Sequence, residues 1–187
     1  LLDVAMAYLA ENDPLSAITA YERILEIDPM NVEARGRCST AYIAAKQYAK
    51  AEQLMKSLIE ERPKDFQLRN NLAWLYATAE NPAFRDGQKA VELAQEAMVL
   101  APNSHHVWST LAEAYYSTGD YEKANLAITH MVSLAMRYDP NMNRESIASY
   151  KEQVRKCKRA LDTENALQAY GEETSPSTPL SVDEDAQ

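Results

Sequence analysis

Residues 104 to 124, SHHVWSTLAEAYYSTGDYEKA, crowd together side chains capable of chemistry: two histidines, a tryptophan, three tyrosines and two glutamates. Imidazoles and carboxylates are common zinc ligands, so a metal centre is the first chemistry to consider. The spacing speaks against it. Neighbouring residues on a helix point about 100° apart, so His105 and His106 diverge. One helix grips zinc with histidines four residues apart, as in H-E-x-x-H. His106 and Glu113 share a face but stand two turns apart, about 10 Å along the axis. His130 has no partner at ligand spacing, and Cys38 and Cys157 lack metal-type neighbours. No metal or cofactor is therefore expected. P-loop, G-x-G-x-x-G and G-x-S-x-G patterns do not occur, and 4 glycines in the whole chain are too few for a phosphate cradle. No nucleophile–base pairing is present either, so the chain is read as non-enzymatic.

The elements that carry these residues follow from composition. Among 187 residues, 46% are hydrophobic and 25% charged, with 4 glycines and 8 prolines. Alanine, leucine, glutamate and lysine dominate, which favours helix over strand. A net charge of −9 repels nucleic-acid phosphates, so no nucleic acid is expected as partner. No apolar run reaches the length of a membrane span. The sequence begins at Leu1 rather than Met, as expected for the interior of a larger protein or a processed chain. The compartment stays open, with the cytoplasm slightly preferred over the periplasm.

Spacing from Trp108 reveals an internal repeat. Leu111, Ala112, Tyr115 and Ala124 follow it at 3, 4, 7 and 16 residues. The Tyr-to-Ala step of 9 residues recurs at Tyr8/Ala17 and Tyr42/Ala51, and at Tyr76/Ala90 with 5 residues inserted. Pro29, Pro63 and Pro102 each lie 12 residues beyond the alanine of their unit. This pattern resembles the tetratricopeptide repeat over roughly residues 1–137. The resemblance implies an all-α, right-handed superhelical solenoid of antiparallel helix pairs. Four repeats are expected, at 1–31, 32–65, 66–104 and 105–140. In the second, helix A is predicted over about 32–45 and helix B over about 48–61. Ala5, Ser39, Ala73 and Ala112 are placed where helices A and B approach closely, opposite Ala17, Ala51, Ala90 and Ala124. Asn31, Asp65 and Ser104 are N-cap candidates, as are Asp13, Asp86 and Asp120. Arg35 and Arg69 stand where the fourth unit has Trp108, and Cys38 stands where it has Leu111.

Beyond Pro140, Ile147, Tyr150, Val154, Cys157 and Leu161 form an apolar stripe, and a capping helix is expected over 141–170 with Asn143 as its cap. Lys151 falls where a fifth repeat would need a small residue. Arg144, Lys151, Arg155, Lys156, Lys158 and Arg159 outnumber Glu145 and Glu152 along this helix and are read as a solvated outer face. Residues 171–187 carry acids but no bases and are expected to form a disordered acidic tail.

The resemblance also implies a function: binding a peptide or partner helix in a concave groove lined by A helices, as a scaffold or adaptor. Carried over residue by residue, the groove positions are Arg37 and Thr40, then Asn70, Asn71, Trp74 and Thr78, then His106, Thr110, Glu113 and Tyr116. Trp74 is either a binding anchor or packing against the next A helix. Of the lysine–asparagine–arginine clamp with which some relatives grip chaperone C-termini, only Asn71 is present. The alternative is a regulatory or substrate-recruiting segment of a larger enzyme or of a secretion or assembly machine. Self-association through Leu1, Val4 and Tyr8 at the N-terminal end is a further expectation.

Overall fold

The computed structural model describes residues 1–138 and 144–174. Within them lie α1 (Leu2–Ala10), α2 (Pro14–Ile27), α3 (Val32–Ala44), α4 (Tyr48–Glu61), α5 (Phe66–Thr78), α6 (Gly87–Leu100), α7 (His105–Ser117), α8 (Tyr121–Tyr138) and α9 (Arg144–Thr174). A short 3-10 turn, Pro82–Phe84, precedes α6. Among the described residues there is no strand. The chain is an all-α helical repeat solenoid: α1/α2, α3/α4, α5/α6 and α7/α8 are the helix pairs, and each packs on the next.

Each pair is joined by the same local device. The eight small residues Ala5, Ser39, Ala73, Ala112, Ala17, Ala51, Ala90 and Ala124 are all completely buried. Their size lets the two backbones approach, and a larger side chain would push them apart. Five residues before each B-helix alanine, the chain must reverse. Asn12 and Lys46 do so with φ of 59°, and Gly119 with φ of 80°. The next residue's N–H then donates to the carbonyl of the unit's tyrosine: Asp13 to Tyr8, Gln47 to Tyr42, Asp86 to Tyr76 and Asp120 to Tyr115, at 2.8, 2.8, 3.1 and 3.0 Å. In the third unit the inserted 3-10 turn replaces the left-handed residue. Phe84 packs on the Tyr48 ring at 5.5 Å, and the Arg85 side chain donates to the Ala79 carbonyl, so the insertion is anchored and the Asp86–Tyr76 bond survives.

Tyrosine rings join one pair to the next. The Tyr42 and Tyr76 hydroxyls donate to Glu22 and Glu52 of the preceding B helices, at 2.8 and 2.7 Å, and Gln95 donates to the Tyr115 hydroxyl at 2.9 Å. On the other side, Lys50, Lys89 and Lys123, each one residue before its unit's alanine, sit 5.2, 5.9 and 5.6 Å from the same ring centres.

Capping divides. Asp13, Asn31, Asp65, Asp86 and Asp120 accept backbone N–H bonds at their helix starts, whereas Ser104, expected to do so, makes no side-chain cap bond. Helix α8 runs 18 residues against 14 in α2, α4 and α6, matching the missing proline at Met136. Helix α9 extends to Thr174, so residues 171–174 are helical rather than part of a disordered tail. The remainder of that expected tail, and the Asn143 cap, lie outside the described residues.

Lys46 occupies the left-handed turn position without glycine's freedom, which costs a non-glycine residue roughly 1–2 kcal/mol. Its ion pair with Glu80 is exposed on both sides and offsets little. Lys46→Gly is expected to raise the melting temperature by about 2–4 °C, the shift of a ~1 kcal/mol gain in a chain of this size. Lys46→Ala should give no gain. Thermal unfolding of the three proteins side by side checks this, and equal melting points would refute the strain.

Candidate functional site: the concave cleft and its closing helix

Helices α3, α5 and α7 set their exposed faces side by side. Arg37, Thr40, Asn70, Asn71 and His106 line a cleft of about 770 Å³. It adjoins a second of about 550 Å³, where Asn70, Asn71, Trp74, His106, Thr110 and Glu113 meet Tyr150 and Gln153 of α9. The two share Asn70, Asn71 and His106 and so form one concave surface. Of the ten residues placed in the groove by sequence, Thr78 lies outside both clefts, and its hydroxyl donates to the Trp74 carbonyl at 2.7 Å. Tyr116 lines a separate cleft beside the far half of α9, with Lys156 Nζ 3.9 Å from its ring centre.

Two further residues on the cleft wall are buried. Thr110 is 2% and Glu113 8% exposed. The Thr110 hydroxyl donates to the His106 carbonyl at 3.2 Å, and helix α9 engages Glu113. Gln153 bridges α9 to α7 by accepting from the Ser109 hydroxyl at 2.8 Å and donating to the Ser109 carbonyl at 2.9 Å and to Glu113 at 3.0 Å. Lys156 closes the cluster with a 2.5 Å ion pair to Glu113. A buried carboxylate needs such partners, since desolvation otherwise drives it neutral. Glu113 thus fastens the closing helix to α7. The Tyr150 hydroxyl lies 3.1 Å from Nδ1 of both His105 and His106, whose rings are 4.1 Å apart. Among the described residues no group of three or more His, Cys, Asp or Glu could hold a metal. Cys157 is fully buried on the stripe that α9 turns toward α8, and burial pushes its thiol up to about 11.

Sequence reasoning missed Ser109, Gln153 and Lys156. The readable signal was Gln153, a polar residue set between Tyr150, Val154 and Cys157 on an otherwise apolar stripe. The basic run on α9 is partly spent internally: Lys156 pairs with Glu113, and Arg155 and Arg159 pair with Glu152. Lys151 and Lys158 are exposed.

What remains open on the concave wall is specific. Trp74 is 38% exposed, and its indole N–H has no acceptor among the described residues. Asn70 Oδ1 is buried without a partner. Arg37 is exposed and held by Glu33 at 3.0 Å.

Paired helices with small residues at the crossing, stacked through tyrosines and closed by a terminal helix, define a tetratricopeptide-type solenoid. Proteins of this class are interaction modules and generally non-catalytic. More particularly, residues 8–81 match the model of the tetratricopeptide repeat family, and this chain carries that repeat. Among solved structures, a thermophilic TPR protein of Thermus thermophilus is 18% identical, with 94% of this chain covering 90% of that one at a TM-score of 0.70. The Sgt2 TPR domain from Aspergillus fumigatus is 22% identical over 84% of this chain and 91% of that one, at 0.60. MamA 41-end from Desulfovibrio magneticus RS-1 is 21% identical over 74% and 75%, at 0.61. At these identities the likeness is one of fold. No curated protein matches by sequence. Among the described residues, no helix is long and apolar enough to cross a membrane.

Removing the bridge should free α9 before the rest unfolds. Gln153→Ala leaves Ser109 and Glu113 short of buried partners, a loss of about 1–3 kcal/mol. Hydrogen exchange is expected to accelerate in α9 and the facing side of α7 while α1 to α4 keep their protection. Unchanged α9 exchange would show that the apolar stripe alone holds it.

Proposed function

We propose that this protein is a non-catalytic scaffold or adaptor whose concave cleft binds an extended peptide segment of another protein. The observation that carries this reading is one buried amide oxygen without a partner, at Asn70, beside the exposed Trp74 ring. The Asn70 amide oxygen lacks a partner in the described chain, and Asn71 and Trp74 line the same cleft beside it. A buried polar atom left alone costs about 1–3 kcal/mol, which a ligand supplying the missing bond recovers. Peptide backbone offers alternating N–H and C=O groups, and an asparagine amide can pair with both at once. Trp74 adds apolar contact of the kind found at binding hot spots.

The binding surface consists of Arg37, Thr40, Asn70, Asn71, Trp74 and His106. Thr110, Glu113, Thr78 and Tyr116 shape or support it. Polar side chains gathered around one tryptophan suit a ligand read through its backbone and one large side chain. The same cleft would serve a recruiting segment of a larger enzyme or assembly machine equally well, since fold does not set the pathway.

The Trp74→Ala/Asn71→Ala protein is expected to fold as the parent, because both side chains reach solvent, and to lose about 10-fold or more in affinity for the partners the parent captures. Quantitative pull-down with matched melting curves checks this. Full retention of every partner would move the working surface elsewhere.

A further inference from the structure

A second trough lies on the other side of α7. Residues two apart on a helix point about 200° apart, so Trp108 faces away from His106 and Thr110 of the concave cleft. Trp108, Leu111 and Tyr115 of α7 form the floor of a hollow of about 810 Å³ between α6 and α8. Val99 of α6 and Leu126 of α8 stand on its opposite lips, 75% and 63% exposed.

The register explains why the hollow is apolar here. Ser57, Glu96 and His130 each lie six residues past their unit's B-helix alanine. In the second unit, Arg35 reaches Ser57 at 3.1 Å and Glu61 at 2.6 and 2.7 Å. In the third, Arg69 reaches Glu96 at 2.7 Å. In the fourth, Trp108 replaces the arginine and lies 4.3 Å from the His130 ring, with its indole N–H already donated to the Pro102 carbonyl at 2.7 Å. A charged clasp in two units has become an aromatic pair flanked by exposed Val99 and Leu126. Helix pairing does not require the exchange, since α3 and α5 pair with their B helices through the arginine version.

We propose that this trough is a second interaction surface, and that it receives a cationic amphipathic helix of a partner protein. Charge selects the sign. Lys123 at the rim is neutralised by Asp120 at 2.6 Å, and Glu96 is shared with Arg69. Glu92 is left as the rim charge without a cationic partner among the described residues. The chain as a whole carries −9, which works against an acidic partner, a nucleic acid or an anionic bilayer. An apolar hollow between two helices, with exposed aliphatic lips, fits the helix-in-groove mode, in which side chains at i, i+3, i+4 and i+7 insert.

The test uses the full chain and fluorescein-labelled model helices of leucine with lysine, or of leucine with glutamate, followed by anisotropy. The lysine helix is expected to bind saturably, and the glutamate helix at least about 10-fold more weakly. Trp108→Arg/His130→Glu, which rebuilds the third unit's clasp in the fourth, should weaken the lysine helix about 10-fold, a loss typical of an interface aromatic. Leu126→Gln, a charge-neutral change at an exposed site that keeps the fold, removes the apolar lip and should weaken it too. Trp74→Ala/Asn71→Ala should leave it unchanged, separating this surface from the concave cleft. The proposal is overturned by absence of saturable binding, by equal binding of the two helices, or by undiminished binding to Leu126→Gln.

Discussion

The close approach of paired helices through small side chains is the constraint on which everything else rests. Ala17, Ala51, Ala90 and Ala124 meet Ala5, Ser39, Ala73 and Ala112 in complete burial. At that separation the tyrosine carbonyl of helix A comes within reach of the first N–H of the next turn, and four such bonds repeat along the chain. The bond sets the turn, the turn sets the angle of helix B, and the angle places each tyrosine ring against the preceding unit. A methylene added at the crossing would disturb all three, which is why overpacking here costs more than an ordinary surface change.

On that scaffold the repeats diverge where the crossing is not involved. One position carries Arg35, Arg69 and Trp108 in successive units, giving two ionic clasps and one aromatic trough. The insertion in the third unit is absorbed in the same spirit. Phe84 packs on Tyr48, Arg85 satisfies a carbonyl, and the Asp86–Tyr76 bond is kept. Repetition therefore fixes spacing while leaving chemistry free to vary from rung to rung, the property that suits such arrays to binding.

The array is closed by polar as well as apolar contact. Cys157 and Val154 give α9 an apolar seat, but Gln153 and Lys156 determine its register against Ser109 and Glu113. Apolar contact is non-directional, whereas a carboxylate buried with two donors accepts only one alignment. The same contacts engage Glu113 of the last rung, while His106 of that rung stays in the cleft, so the closing helix shapes the concave surface as well as covering the core.

The sequence by itself determined the repeat. The tyrosine–alanine spacing, the small residues at the crossing and the caps at Asp13, Asn31, Asp65, Asp86 and Asp120 were legible, because each expresses a local rule that recurs along the array. The insertion was legible as a break in that spacing. The candidate site was only partly so. Arg37, Asn71 and Trp74 were placed in the groove by the resemblance, which carries over a helix register that the repeat spacing aligns from unit to unit. Glu113 and Thr110 could not be recognised as buried, nor Trp108 as the floor of a trough. The surroundings of Glu113 are supplied by α9, and those of Trp108 by α6 and α8 on either side. Exposure is a property of neighbours, and tertiary packing alone decides which neighbours a side chain has.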